Sequence, residues 1–261
     1  NRIRKVFMRR EYSEWSINKP LGYAGDYMII DAIYQNNPTT TGFDRLFDNY
    51  YQMSAISVGV RNRKDDFKRM VINLANERKD QCVRVMNFAS GPGRDVKEIL
   101  QSEELKNMKT TFDCYDHDER ALQFSKALLE RFKCVNFIKA NALKIAASKD
   151  IRSTINNRYD IIYSTGLFDY FSDKVSTKLI WNLKRLLNDE GVLMISSVRD
   201  RYSNPSVHYM EWAGDWNLIY RTDEEFINIF LEAGFKRDDL ELLYEQQGIM
   251  QYVVAKNVKR R

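Results

Sequence analysis

The sequence predicts an α/β fold: a mostly parallel seven-stranded sheet with helices on both faces and a helical segment ahead of it. Three observations carry this. An apolar run at residues 83–89, VRVMNFA, ends in Ser90-Gly91-Pro92-Gly93 and passes into an amphipathic helix, giving strand, tight turn and helix in succession. From there strand-like and helix-like patterns alternate, and crossovers of that length join parallel strands. The last two strands are separated only by Gln246-Gln247-Gly248. That is too short for a parallel crossover, so the sheet ends in an antiparallel hairpin.

Residues 1–80 read as helices and loops and are taken as a cap, with residues 81–261 as the core. In NKPLGYAGDYMIIDAIY a glycine-rich turn at residues 21–25 leads into a helix carrying Met28, Ile29, Ala32 and Ile33. FDRLFDNYYQMSAI is a second amphipathic helix and VGVRNRKDDFKRMVINLANE a long, charged third. Strands are expected at about 83–89, 111–116, 134–138, 159–165, 190–198, 239–245 and 249–256, with helices near 93–104, 118–132, 173–188 and 222–233.

Composition bounds the function. With 261 residues, 44% hydrophobic and 30% charged, the chain can bury a sizeable core. It has no apolar run near the eighteen residues a membrane span needs, and its start at Asn1 rather than Met reads as trimmed. Cys82, Cys114 and Cys134 are odd in number and lack metal-ligand spacing, so they read as reduced core residues of a cytoplasmic protein. The net charge of +5 is spread out apart from the tails NRIRKVFMRR and KNVKRR, with no basic stripe interleaved with aromatics, so nucleic-acid binding has no support. No paired-His or Cys cluster marks a metal site.

The glycine turn is where chemistry enters. Glycines at a strand's carboxyl end let backbone approach a ligand, and open α/β sheets bind nucleotide-like ligands there. The second strand, TFDCY, stops at Asp116, about twenty-five residues past the turn and placed to accept both hydroxyls of a ribose. Both Asp116 and Asp118 could cap the next helix. Asp118 is read as the cap and Asp116 as the ribose ligand. A parallel sheet closed by one antiparallel strand fits a methyltransferase better than a dehydrogenase.

Residues 83–256 resemble class I S-adenosylmethionine-dependent methyltransferases through NFASGPGRD, CYDHD, IKANAL and YDIIYSTGLFDYF. The resemblance implies a Rossmann-like sheet of order 3-2-1-4-5-7-6 and S-adenosylmethionine as cofactor. It places the loop Ala89, Ser90, Gly91 and Gly93 under the methionine, Asp116 on the ribose, His117 beside the adenine and Asn141-Ala142 at its edge. Ser164 and Thr165 would flank the methionine and the acceptor. Family members commonly have Gly or Cys at Ala89-Ser90 and Asp at Asn141. Further strings, KPLGYAGDY, VRNRKDDF, SGPGRD, YSTGLFDYFSD and MEWAGDWNLIYRT, resemble bacterial methyltransferases that make 3-hydroxypalmitic acid methyl ester. Other relatives, azetidine-2-carboxylate synthases, cyclise the cofactor's own side chain.

A sulfonium methyl is intrinsically electrophilic, so the protein must align a nucleophile and exclude water. A carboxylate acceptor of a small or lipid-like molecule needs no base; an alcohol or amine does. The candidate catalytic residues are Tyr163 and, in the aromatic-polar loop after the fifth strand, His208, Glu211, Tyr220 and Arg221. In that loop Trp212 and Trp216 could equally be core, and Glu211 and Arg221 an ion pair. From the helical segment, Tyr23 and Tyr27 offer aromatic faces to the sulfonium, and Arg61 or Arg63 a cation for its carboxylate, with Arg61 taken as the ligand. Two classes stay open: an enzyme transferring the methyl group, or cyclising the cofactor, and a non-catalytic domain that senses the cofactor or binds a partner.

Overall fold

The computed structural model describes residues 11–79, 81–106 and 108–259; the basic tail at residues 1–10 and the last two arginines lie outside them. Four helices come first: α1 (Glu11–Asn18), α2 (Tyr27–Gln35), α3 (Phe43–Met53) and α4 (Ala55–Asn76). Then follow β1 (Val83–Phe88), α5 (Arg94–Leu100), β2 (Thr110–Asp116), α6 (Glu119–Leu128), β3 (Val135–Lys139), α7 (Ala142–Ala147), β4 (Tyr159–Ser164), α8 (Asp173–Arg185) and β5 (Leu187–Val198). The chain finishes with α9 (Val207–Gly214), α10 (Asp223–Glu232), β6 (Leu240–Tyr244) and β7 (Met250–Lys256). The sheet order is 3-2-1-4-5-7-6. β7 runs antiparallel to both β5 and β6, and the remaining neighbours are parallel. Fold class and strand order are as expected.

Strand alternation divides the core into two layers. Val83, Val85, Ile161, Tyr163, Met194 and Tyr252 face one cluster, which includes Phe67, Val71 and Ala75 of α4 and Val96 and Ile99 of α5. Met86, Phe88, Ile162, Leu193 and Val253 face the other, against α8 and α10. The long charged helix α4 is thus one of the sheet's own covering helices, while α1, α2 and α3 stand ahead of it. Of the apolar residues named on α2, Ile29 and Ile33 are buried but Met28 is 36% exposed, and Leu46 of α3 is 61% exposed. Of the cysteines, Cys114 is buried but Cys82 is exposed, because it precedes the strand; all three are free.

Local chemistry sets the helix starts. Asp26 accepts the Met28 and Ile29 amides at the head of α2, and Thr222 and Glu225 form a reciprocal capping box on α10. α1 and α9, of eight residues each, are not among the helices delimited from the sequence, being too short to show a clear period.

Candidate active site

The turn after β1 passes through Ala89, Gly91 and Gly93, all at positive φ. A side chain built on Gly91 would meet nothing within 4 Å, so this glycine opens onto free space. One on Gly93 would stand 3.0 Å from Ser125 Oγ and 3.2 Å from its Cβ, so Gly93 serves close packing against α6. Ser125 Oγ donates in turn to the Gly91 carbonyl at 2.7 Å, fixing the loop.

Asp116 ends β2 beneath this turn. Its Oδ2 accepts the Gly91 amide at 2.9 Å and its Oδ1 the Asp118 amide at 3.0 Å. His117 Nδ1 lies 3.3 Å from Asp116 Oδ1. That hydrogen bond, with the charge of Asp116, raises the imidazole's pKa above its ordinary range against the opposing effect of burial. Asp118 is the N-cap of α6, accepting the Arg120 amide at 2.9 Å. Its carboxyl is held low chiefly by the Arg120 guanidinium.

The glycine turn, Asp116 and His117 border a cavity of about 530 Å³. Ala89, Ser90, Gly91, Asp116, His117 and Asn141 form one end of it, with Ala142, Tyr23 and Tyr27. Tyr23 donates to Asp118 Oδ2 at 3.3 Å and its ring stands 5.3 Å from that of His117. The other end is mostly apolar, with Ile56, Val60, Val198, Trp216, Leu218 and Met250. Thr165 and Gly166, at the carboxyl end of β4, lie in the wall with Asp169 and Tyr170. The loop before α2 roofs the cavity. A side chain on Gly25 would collide with Tyr170 Oη and the Trp216 ring. Trp216 Nε1 donates to Tyr170 Oη at 2.7 Å, and Tyr170 Oη to the Ala24 carbonyl at 3.2 Å.

The expected residues do not all meet here. Asn141 lines the cavity, but its Oδ1 is engaged by the Leu143 and Lys144 amides as the cap of α7. Ser164 is fully buried with an unpartnered Oγ and, like Gly93, is outside the lining. Arg61 is also outside it: its guanidinium donates to Gln52 O at 2.7 Å, Gln52 Oε1 at 2.9 Å and Ile33 O at 3.4 Å. Tyr163 is turned into the core, donating to Asp95 Oδ2 at 2.6 Å. Arg221 is 1% exposed and holds the Phe168 carbonyl, the Phe171 carbonyl and Asp173. Glu211 pairs with Arg201 rather than Arg221. His208 is exposed, and neither it nor Tyr220 is in the lining. Of the two loop tryptophans, Trp212 is 44% exposed, whereas Trp216 is buried at the cavity because the helix ends at Gly214 and the left-handed Asp215 redirects the chain.

Three residues that sequence reasoning did not single out stand in the wall: Tyr34, Asp169 and Tyr170. Only the aspartate and tyrosine within GLFDYF, just past a strand end, offered a signal. Arg63, weighed beside Arg61, is the cation that faces the cavity. It is 4% exposed, its Nε has no hydrogen-bond partner, and among the described residues it has no ion-pair partner within 4.0 Å. The charge of Arg63 acts on the buried Asp169 carboxylate, but with no anion within ion-pair distance the guanidinium keeps capacity for a ligand's carboxylate.

A family model described as "Putative methyltransferase" matches residues 19–257. The chain belongs to this methyltransferase family. In fold, the methyltransferase is similar to a possible exported protein from Bordetella parapertussis, at 17% identity over 90% of this chain and 80% of that one, with a TM-score of 0.73. It is also similar to magnesium protoporphyrin IX methyltransferase from Synechocystis PCC 6803, solved with bound SAH, at 11% identity, 87% and 91% coverage and a TM-score of 0.57. A third similar structure is the CurJ carbon methyltransferase, at 15% identity and a TM-score of 0.60; the match covers 80% of this chain and 57% of that one. A search of the curated proteins found no match.

Proposed function

We propose that the methyltransferase binds S-adenosylmethionine beneath the glycine turn and transfers its methyl group to a small or lipid-like acceptor seated in the apolar half of the same cavity. The observation that carries this reading is that one continuous cavity is lined both by Asp116 and Gly91 and by Trp216 and Met250. The residues suit the cofactor. The open face at Gly91 leaves room for the methionine, and Ser90 Oγ and Arg63 Nε are buried polar atoms without protein partners. Asp116 would take the ribose hydroxyls, His117 and Asn141 would flank the adenine, and Arg63 rather than Arg61 would take the carboxylate. Bound there, the cofactor supplies an electrophilic methyl carbon. The protein's own contribution is alignment, and exclusion of water by the loop over Tyr170 and Trp216.

The likeness of the helical segment and loop motifs to enzymes of 3-hydroxypalmitic acid methyl ester synthesis supports a lipid-like acceptor. Incubation with methyl-labelled cofactor and a cell extract as acceptor source, read by mass spectrometry, tests the function. S-adenosylhomocysteine with a labelled product is expected. Methylthioadenosine would mean cyclisation, and unchanged cofactor a sensing domain.

A further inference from the structure

The cavity wall contains a buried carboxylate, Asp169, that the proposed cofactor contacts do not use. Asp169 follows β4 in the segment GLFDYF and is 3% exposed. Its Oδ1 accepts the Val198 amide at 2.8 Å, which ties the carboxyl ends of β4 and β5 together. Among the described lining residues, four carry a carboxylate or an imidazole: Asp116, His117, Asp169 and Asp215. Asp116 accepts the turn amides and is assigned above to the ribose, and His117 sits beside it with its side chain 55% exposed. Asp215 pairs with Lys19 at the rim and is 56% exposed. His208 lies outside. Of these four, Asp169 is the buried carboxylate that lies neither in the glycine-turn network nor at the rim.

We infer that Asp169 receives an O–H or N–H group of the acceptor, so that the methylated molecule is an apolar alcohol, phenol or amine rather than a carboxylate. This rests on the methyltransferase reading and narrows its acceptor. Arg63 offsets the charge of Asp169, so an acceptor carboxylate placed beside it would add a buried negative charge with no cation of its own, whereas an O–H or N–H donor satisfies lone pairs that the Val198 amide leaves. As the acceptor's lone pair forms the bond to the methyl carbon, the carbon–sulfur bond breaks with its electrons to sulfur and the acceptor's proton passes to the Asp169 carboxylate. It is released to water when the site opens. Burial raises the pKa of Asp169, opposed by Arg63 of α4, the Val198 amide, Ser197 and Arg221. Tyr170 beside it and Tyr220 carry raised phenol pKa values, so they stay neutral.

The test uses the full chain saturated with S-adenosylhomocysteine and three matched probes: octylamine, 1-octanol and octanoate. Octylamine and octanol should bind at least tenfold more tightly than octanoate. Asp169→Asn keeps the acceptor for the Val198 amide but removes the charge, and should abolish that preference while cofactor affinity stays within twofold. Asp169→Glu, which keeps the charge, should retain the order. Octanoate as the tightest probe, an order unchanged in Asp169→Asn, or no binding of any probe would overturn the inference. Failure of S-adenosylhomocysteine itself to bind would instead overturn the cofactor reading beneath it.

Discussion

Two arginines two residues apart on α4 should fail in opposite ways. Arg61 makes three hydrogen bonds, to Gln52 and Ile33, and Gln52 is itself 2% exposed. Arg61→Met leaves those buried acceptors without a donor. At about 1 kcal/mol net for each bond, stability should fall by roughly 2–3 kcal/mol, and the Tm of a chain this size by about 5 °C or more. The cavity keeps its lining, so cofactor affinity should hold. Arg63 is the reverse case: a buried cation with no ion-pair partner among the described residues. In Arg63→Met a flexible apolar chain replaces it, and the apo protein should change by less than about 1 kcal/mol or gain stability, the pattern of a site strained for its ligand. Loss of one charge-assisted hydrogen bond, about 1.5–3 kcal/mol, should weaken S-adenosylmethionine or S-adenosylhomocysteine binding by roughly 10- to 100-fold. Calorimetric titration and thermal unfolding of both variants read this directly. Equal affinity in Arg63→Met and wild type, or equal loss in both variants, would refute the assignment.

Four further outcomes are expected. Asp116→Ala should lose about 1.5–3 kcal/mol of cofactor binding for each ribose hydrogen bond removed, with the sheet still folded; calorimetry showing unchanged affinity would take Asp116 out of the site. Gly91→Val forces a β-branched residue into a left-handed conformation, costing about 1–2 kcal/mol of stability while blocking the turn; full cofactor affinity in that variant would place the ligand elsewhere. Because Asp116 raises the His117 pKa, His117 contributes stability that is complete below the ordinary histidine range and disappears as pH rises through its raised value. His117→Asn should remove that part of the pH–stability curve measured by denaturant titration, and an unaltered slope would count against it. Deleting residues 1–53 retains α4 on the sheet and should give a folded core that binds cofactor far more weakly and is less soluble; tight cofactor binding by the truncated protein would end the reading of the first helices as a lid.

The sheet was legible in the sequence because strand alternation and glycine turns are local signals; strand ends differ from expectation by three residues at most, at the start of β5. Asp116 and Asp118 were likewise separable by their places before and at a helix start. What a single sequence lacks is direction on a helix surface. Arg61 and Arg63 are equal in composition, yet two residues apart on α4 they point about 200° apart, one toward Gln52 and one into the cavity. The loop after β5 misled for another reason. Its polar and aromatic richness marked a pocket wall, but Arg221 and Glu211 are consumed by local contacts with Asp173 and Arg201. Trp216, behind the left-handed Asp215, turns inward, and Asp215, Asn217 and Leu218 line the cavity beside it.

The loop before α2 is fastened on both sides of the cavity. Arg120 donates to the Leu21 carbonyl and Tyr23 to Asp118 at the cofactor end, while Tyr170 and the Lys19–Asp215 pair hold it at the acceptor end. On the proposed reading, cofactor and acceptor both lie under this one loop. A molecule at either end that favours the shut loop makes the other end's ligand bind more tightly, and by linkage the benefit is returned by the same factor. Titrating one ligand at fixed concentrations of the other reads that factor.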